Sequence, residues 1–107
     1  MWHIDIYSLE FIDPKLREVL KDVADQFGPG VITSLYRIGD DGVHGTLPLR
    51  GVDERCLDRY LGNLKVLYVN SRWFYSSEHP NLNCALCHDV GQGLHMHYQV
   101  HPETRRR

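Results

Sequence analysis

The first thing the chain lacks is an excess of charge of either sign: 12 Lys and Arg stand against 14 Asp and Glu, a formal net charge of −2. A protein that grips a phosphate backbone needs a basic face, so nucleic acid is excluded as the expected partner. The one basic cluster, Arg105-Arg106-Arg107, reads as a frayed tail. No apolar run approaches the length needed to cross a bilayer, so no membrane span is expected. Met1-Trp2-His3-Ile4-Asp5 has neither a positive leader nor an apolar stretch of the kind that directs export, and cytoplasmic synthesis without a signal peptide is the expectation. Cysteine is scarce and odd in number, three in 107 residues, which argues against a disulfide framework and for reduced thiols. Cys56 reads as a small buried hydrophobe. There is no repeat or low-complexity stretch, and 42% hydrophobic against 24% charged residues suits one compact core, a single domain over residues 1–107.

What the chain has in quantity is histidine: seven in all, five of them between His79 and His101. Imidazole is the commonest metal ligand and the side chain best matched to proton transfer near neutral pH, so the clustering points to a metal or acid/base site. Within it, Cys84, Cys87 and His88 spell C-x-x-C-H, the haem-attachment pattern of a c-type electron carrier. His95 and His97 form an H-x-H pair. Covalent haem attachment requires an oxidising compartment, and a structural zinc on Cys84, Cys87 and His88 lacks a second C-x-x-C, so the histidine pair is the stronger signal. His79 and His101 read as surface residues.

The pattern predicts an α+β domain, a small antiparallel sheet with helices packed on one side. A short strand is expected at residues 3–8. Asp13 followed by Pro14 reads as a helix N-cap and first turn, and Leu16, Val19, Leu20, Val23, Ala24 and Phe27 repeat at helical spacing until Gly28-Pro29-Gly30 stops them. Residues 31–36 are β-branched and aromatic and read as a strand. Residues 38–48 form a loop rich in glycine and aspartate, long enough to suggest function. A second helix is expected over 53–72, carried by Leu57, Leu61, Leu64 and Tyr68 and weakened by Gly62. Residues 84–90 and 94–101 read as a hairpin around Gly91-Gln92-Gly93. Its second strand sets His95, His97 and Gln99 on one face and Leu94, Met96, Tyr98 and Val100 on the other. Loop length decides whether His88 or Asp89 joins the histidine face; the expectation is His88, since Asp89 would add a second negative charge beside Asp53.

A catalytic zinc takes three ligands from His and carboxylate and keeps a fourth position for water. His44, Asp53 and one of the His95/His97 pair are the candidates separated in sequence. Taken singly, His44 also reads as a solvated loop residue, Asp53 as a helix N-cap and Arg37 as a surface charge. Together, T-S-L-Y-R at 33–37, V-H-G at 43–45, R-G-V-D at 50–53 and H-M-H-Y-Q-V at 95–100 resemble, in order, the signatures of a zinc metallopeptidase superfamily. It comprises D-alanyl-D-alanine peptidases, lysostaphin-type endopeptidases and the hedgehog fold, and the chain is most similar to small phage-encoded members that cut cell-wall peptides. The resemblance implies zinc held by His44, Asp53 and His97, with proton transfer by His95. Arg37, flanked by Ser34 and Tyr36, would hold a substrate carboxylate in a peptidoglycan stem or cross-bridge peptide. His88 is expected to assist beside the metal. His44 and Asp53 stand nine positions apart, wider than the family norm, and Leu94 occupies the place where some members carry a glutamate base. The same resemblance admits a metal-binding phage structural or interaction protein that has lost its base.

Overall fold

The computed structural model describes residues 12–34, 49–89, 91 and 93–107. Helix α1, Pro14–Phe27, begins where the sequence predicts: the Asp13 carboxylate accepts from the Lys15 amide at 2.8 Å and proline occupies the first turn. Its Leu16, Val19, Leu20 and Val23 are buried, and Gly28 ends it at a φ of 87°. Four strands form an antiparallel sheet in the order β1-β2-β5-β4: β1 Ile32–Ser34, β2 Gly51–Arg55, β4 Ala85–Asp89 and β5 Leu94–Gln99. Helix α2, Arg59–Arg72, joins β2 to a short strand β3, Trp73–Phe74, which pairs with β6, Arg105–Arg106. The expected strand at residues 3–8 and the 38–48 loop lie outside the described residues, as do Tyr36 and Arg37. Among the described residues no helix is long and apolar enough to cross a membrane.

Strand alternation gives the sheet two unlike faces. Val52, Met96, Tyr98 and Ala85 share one core cluster with Leu16, Val19, Leu20 and Val23 of α1 and Val69 of α2, so this face is the one the helices cover. The other face carries Asp53, His97, His95 and His88.

Three expectations are corrected. Residues 53–58 do not open the second helix. Val52 and Glu54 face the core while β2 pairs with β5 on one side and β1 on the other, so Asp53 is a strand residue and Asp58 is the N-cap, accepting from the Tyr60 amide at 3.0 Å. The leucine stripe of α2 does not face the core either. A Cβ at Gly62 would stand 2.7 Å from Cys87 Sγ and 2.9 Å from Cys56 Sγ, so close helix-to-sheet approach selects the face of Gly62, Lys65 and Val69 and turns the leucines outward. Lys65 reaches down to Glu54 at 3.2 Å, and the fully buried Glu54 also accepts from Tyr98 Oη at 2.8 Å.

The third correction is the arginine tail. Arg106 makes a two-pronged contact with Asp22 at 2.7 and 3.0 Å and lies over the Trp73 ring, whose Nε1 donates to the same carboxylate at 3.0 Å. Burial pushes the Asp22 carboxyl up, but the bonds from Arg106 and Trp73 outweigh it and hold the group below its ordinary value. Folding therefore favours the ionised form: its contribution is complete above the ordinary carboxyl range and fades as pH falls through the lowered value. Asp22→Asn should cost about 1 kcal/mol at neutral pH, because Arg106 is half exposed. That deficit should shrink in urea titrations of both proteins as pH falls below the ordinary carboxyl range.

Candidate functional site

The open face of the sheet is assembled by register. Asp53 pairs with His97 across β2 and β5, and His97 with Leu86 across β5 and β4; one row along, Arg55, His95 and His88 are partners. Directly opposed residues project to the same side, so the carboxylate and three imidazoles share one surface. The last ladder pair of the hairpin is Asp89 with Leu94, which leaves a four-residue loop, 90–93, and puts His88 on the histidine face. Asp89 is spent on the turn: its carboxylate accepts from the amides of Gly91 at 2.8 Å and Gly93 at 3.2 Å, both of which sit at a φ of 97°.

At the centre, Asp53 Oδ1 lies 2.9 Å from His97 Nδ1, and both side chains are mostly buried. His97 Nε2 lies 3.1 Å from Gln99 Oε1, and Gln99 Nε2 donates to the Asn83 carbonyl at 2.9 Å. The second of these bonds fixes the amide, so Gln99 presents its oxygen to His97 and the proton of a neutral ring must sit on Nε2. A ring protonated on both nitrogens donates to Asp53 through Nδ1 and to Gln99 through Nε2, whereas a ring with its single proton on Nε2 offers Nδ1, beside the carboxylate, as a metal ligand. Two ligands of a tetrahedral zinc, at about 2.0 to 2.1 Å each, stand about 3.3 Å apart, so the pair needs to open by only a few tenths of an ångström. A metal-bound histidine commonly donates its other ring nitrogen to an oxygen, and Gln99 supplies one here. Asp53 and His97 are thus two donors of the types that zinc takes.

His95 and His88 stack edge to face, with ring centroids 4.4 Å apart, and the His88 ring is 6.4 Å from that of His97. His95 Nδ1 lies 3.2 Å from the Gly93 carbonyl, which can only accept, so this nitrogen is a donor and in the neutral ring the lone pair falls on Nε2. Burial first, then the neighbouring His95 and His97, hold the His88 imidazole below its ordinary value. Near neutral pH His88 is an uncharged ring on a face that already holds Asp53. Leu94 shares its face with Met96, so a glutamate at that position of this strand would point away from the site.

Of the other residues picked out in the sequence, Ser34 ends β1 with its Cα opposite Asp53, while Tyr36, Arg37 and His44 lie outside the described residues. Cys87 and His88 are successive strand residues, so one faces Gly62 under α2 and the other the open face; C-x-x-C-H is not gathered around one group. Gln99 was legible as a member of the histidine face, yet its part in setting the His97 tautomer depends on Asn83, which sequence spacing does not reveal.

His79 and His101, read from the sequence as surface residues, meet Glu78 with ligand atoms within 4.8 Å of one another, and the His101 side chain is only 12% exposed, packed beneath Tyr75 and His79 rather than lying on the surface. These residue types could hold a metal ion, but the bonding favours a hydrogen-bonded cluster. His101 Nδ1 accepts from the Glu103 amide at 3.0 Å, so its Nε2 carries the proton and faces Glu78 Oε2 at 3.4 Å. No family model, curated protein or solved structure matches this chain.

Proposed function

We propose that the chain is a zinc-dependent peptidase acting on an amide bond of a bacterial peptidoglycan stem or cross-bridge peptide, on the fold shared by D-alanyl-D-alanine peptidases, lysostaphin-type endopeptidases and the hedgehog domain. The observation that carries the proposal is the Asp53 carboxylate 2.9 Å from His97 Nδ1, with Gln99 holding the opposite ring nitrogen. Asp53 and His97, with His44 as the third ligand, would hold the ion. Zinc in such a site polarises a carbonyl and activates water at neutral pH.

The chain's own residues supply the rest. His95 Nε2, its lone pair directed away from the Gly93 bond, takes the proton of the attacking water as the water oxygen bonds to the carbonyl carbon. It then passes that proton to the amine as the carbon–nitrogen bond breaks. His88, packed against His95, limits its rotation and offers a neutral donor to developing negative charge. Arg37, beside Ser34 and Tyr36, would clamp a substrate carboxylate as a fork. Delivery to the cell wall after synthesis in the cytoplasm, as for a phage-encoded lytic protein, belongs to the same proposal.

The test is release of D-alanine or cross-bridge fragments from synthetic stem peptides and purified sacculi. Turnover should disappear on chelation and return with zinc. In His95→Gln it should fall by about a hundredfold or more with zinc retained, the usual contribution of a positioned general base. A wild-type protein that holds zinc yet releases nothing from either substrate would mark it as the metal-binding interaction protein of the same fold.

A further inference from the structure

The pairing of β3 with β6 gathers arginines at one place. Trp73 pairs with Arg106 and Phe74 with Arg105, and continuing that register sets Arg107 beside Arg72, whose carbonyl accepts from the Arg107 amide at 2.8 Å. Like charges directly across a ladder repel. Among the described residues neither guanidinium has a carboxylate partner, and Asp22, the carboxylate bonded to Arg106, is already taken by that arginine and by Trp73 Nε1. Arg72, Arg106 and Arg107, with Ser71, line a cleft of about 270 Å³.

The arginines are braced as well as gathered. Arg72 lies 4.8 Å from the centre of the Tyr68 ring, Arg106 4.6 Å from that of Trp73 and Arg107 5.8 Å from that of Phe74, while Arg107 Nε donates to the Asn70 carbonyl at 2.9 Å. A guanidinium stacked on a ring keeps its in-plane N–H groups for a ligand and has less rotamer freedom to lose on binding.

We propose that this cleft binds a phosphate group, free or carried as a monoester, between Arg72 and Arg107. A phosphate monoester brings close to two negative charges at neutral pH, which matches the two guanidiniums that lack a carboxylate partner. A carboxylate brings only one. Phosphate oxygens also accept from the planar arginine fork in pairs, so a single ion relieves the repulsion between neighbouring cations and satisfies their donors. The space in the cleft equals that of roughly nine waters, more than a phosphate ion alone takes up. Ser71 Oγ donates to the Tyr68 carbonyl at 3.0 Å and keeps its acceptor capacity, which suits a hydroxyl on the carbon skeleton of an ester. None of the residues proposed to hold zinc lines the cleft, so this inference stands apart from the peptidase reading.

Calorimetric titration of the metal-depleted full chain at low ionic strength, with inorganic phosphate, glycerol 3-phosphate and acetate in turn, tests this directly. Both phosphate compounds should bind saturably at one site, and acetate should not. A tighter glycerol phosphate marks an ester as the natural source, whereas equal affinities mark the phosphate group alone as what is read. Arg72→Gln and Arg107→Gln should each weaken binding by about tenfold or more, as loss of a charge-assisted contact does, with unchanged circular dichroism spectra because both side chains are exposed. Arg72→Lys should fall between, since it keeps the charge and loses the fork. Arg17→Gln removes the same charge from α1, outside the cleft, and should bind as the wild type does. Absence of saturable phosphate binding overturns the proposal. So does acetate binding as tightly as phosphate, or undiminished affinity in Arg72→Gln with Arg107→Gln.

Discussion

His97→Ala is expected to abolish turnover while leaving the fold in place. The imidazole sits on the open face, outside the core cluster, so its loss removes no core packing. What it removes is the nitrogen that faces Asp53 and the proton donor that faces Gln99. Lewis-acid stabilisation of the kind proposed is worth several kcal/mol, and each 1.4 kcal/mol or so is a factor of ten. Turnover of stem peptides should therefore fall by on the order of a thousandfold or more, and zinc retention should fall with it. Gln99→Leu is the graded companion. It leaves both ligands in place but frees the His97 ring to change tautomer, and zinc affinity should drop by about 10- to 100-fold. Competition with a chelating dye reads both effects. Wild-type zinc affinity in His97→Ala would remove His97 from the site.

The second large effect is on stability and lies on the other side of the sheet. Glu54 is fully buried, with one oxygen shared by Tyr98 Oη and Lys65 Nζ and the other without a hydrogen-bond partner among the described residues. Lys65→Met keeps the length and apolar stem of the side chain but strips the carboxylate of its countercharge. Breaking a buried pair from one end costs about 3 to 5 kcal/mol, since the remaining charge stays desolvated. Glu54→Gln in the Lys65→Met background should recover a large part of that loss, because no net charge then remains buried and the amide oxygen still accepts from Tyr98. Urea unfolding of the three variants gives the numbers. A loss below about 1 kcal/mol in Lys65→Met would show that Glu54 does not depend on Lys65.

Local signals made part of this molecule legible. Asp13-Pro14 and the spacing from Leu16 to Val23 specify α1 within a few turns of chain, and alternation from Leu94 to Val100 separates the histidine face of β5 from its core face. The start of α2 was not legible. Asp53 has the residue type of a helix cap, and what makes it a strand residue is pairing with His97 and with β1, partners distant in sequence. The orientation of α2 was hidden for a related reason. A leucine stripe outweighs one glycine in any periodicity argument, yet the sheet admits the helix only where Gly62 leaves room for two cysteine sulfurs. Arg106 looked like a loose end because Asp22, 84 residues away, is its partner. Within the site, alternation joins His95 to His97 and loop parity adds His88. The meeting of Asp53 with His97 required the strand order itself.

Zinc K-edge X-ray absorption on the purified protein, with metal content measured on the same sample, tests the central claim most directly. The account predicts about one zinc per chain, in a shell of nitrogen and oxygen at about 2.0 to 2.1 Å with imidazole scattering beyond it, and loss of that signal in His97→Ala. Sulfur in the shell at about 2.3 Å would place the metal on Cys84 and Cys87 and contradict the site, as would a protein that binds no zinc at all.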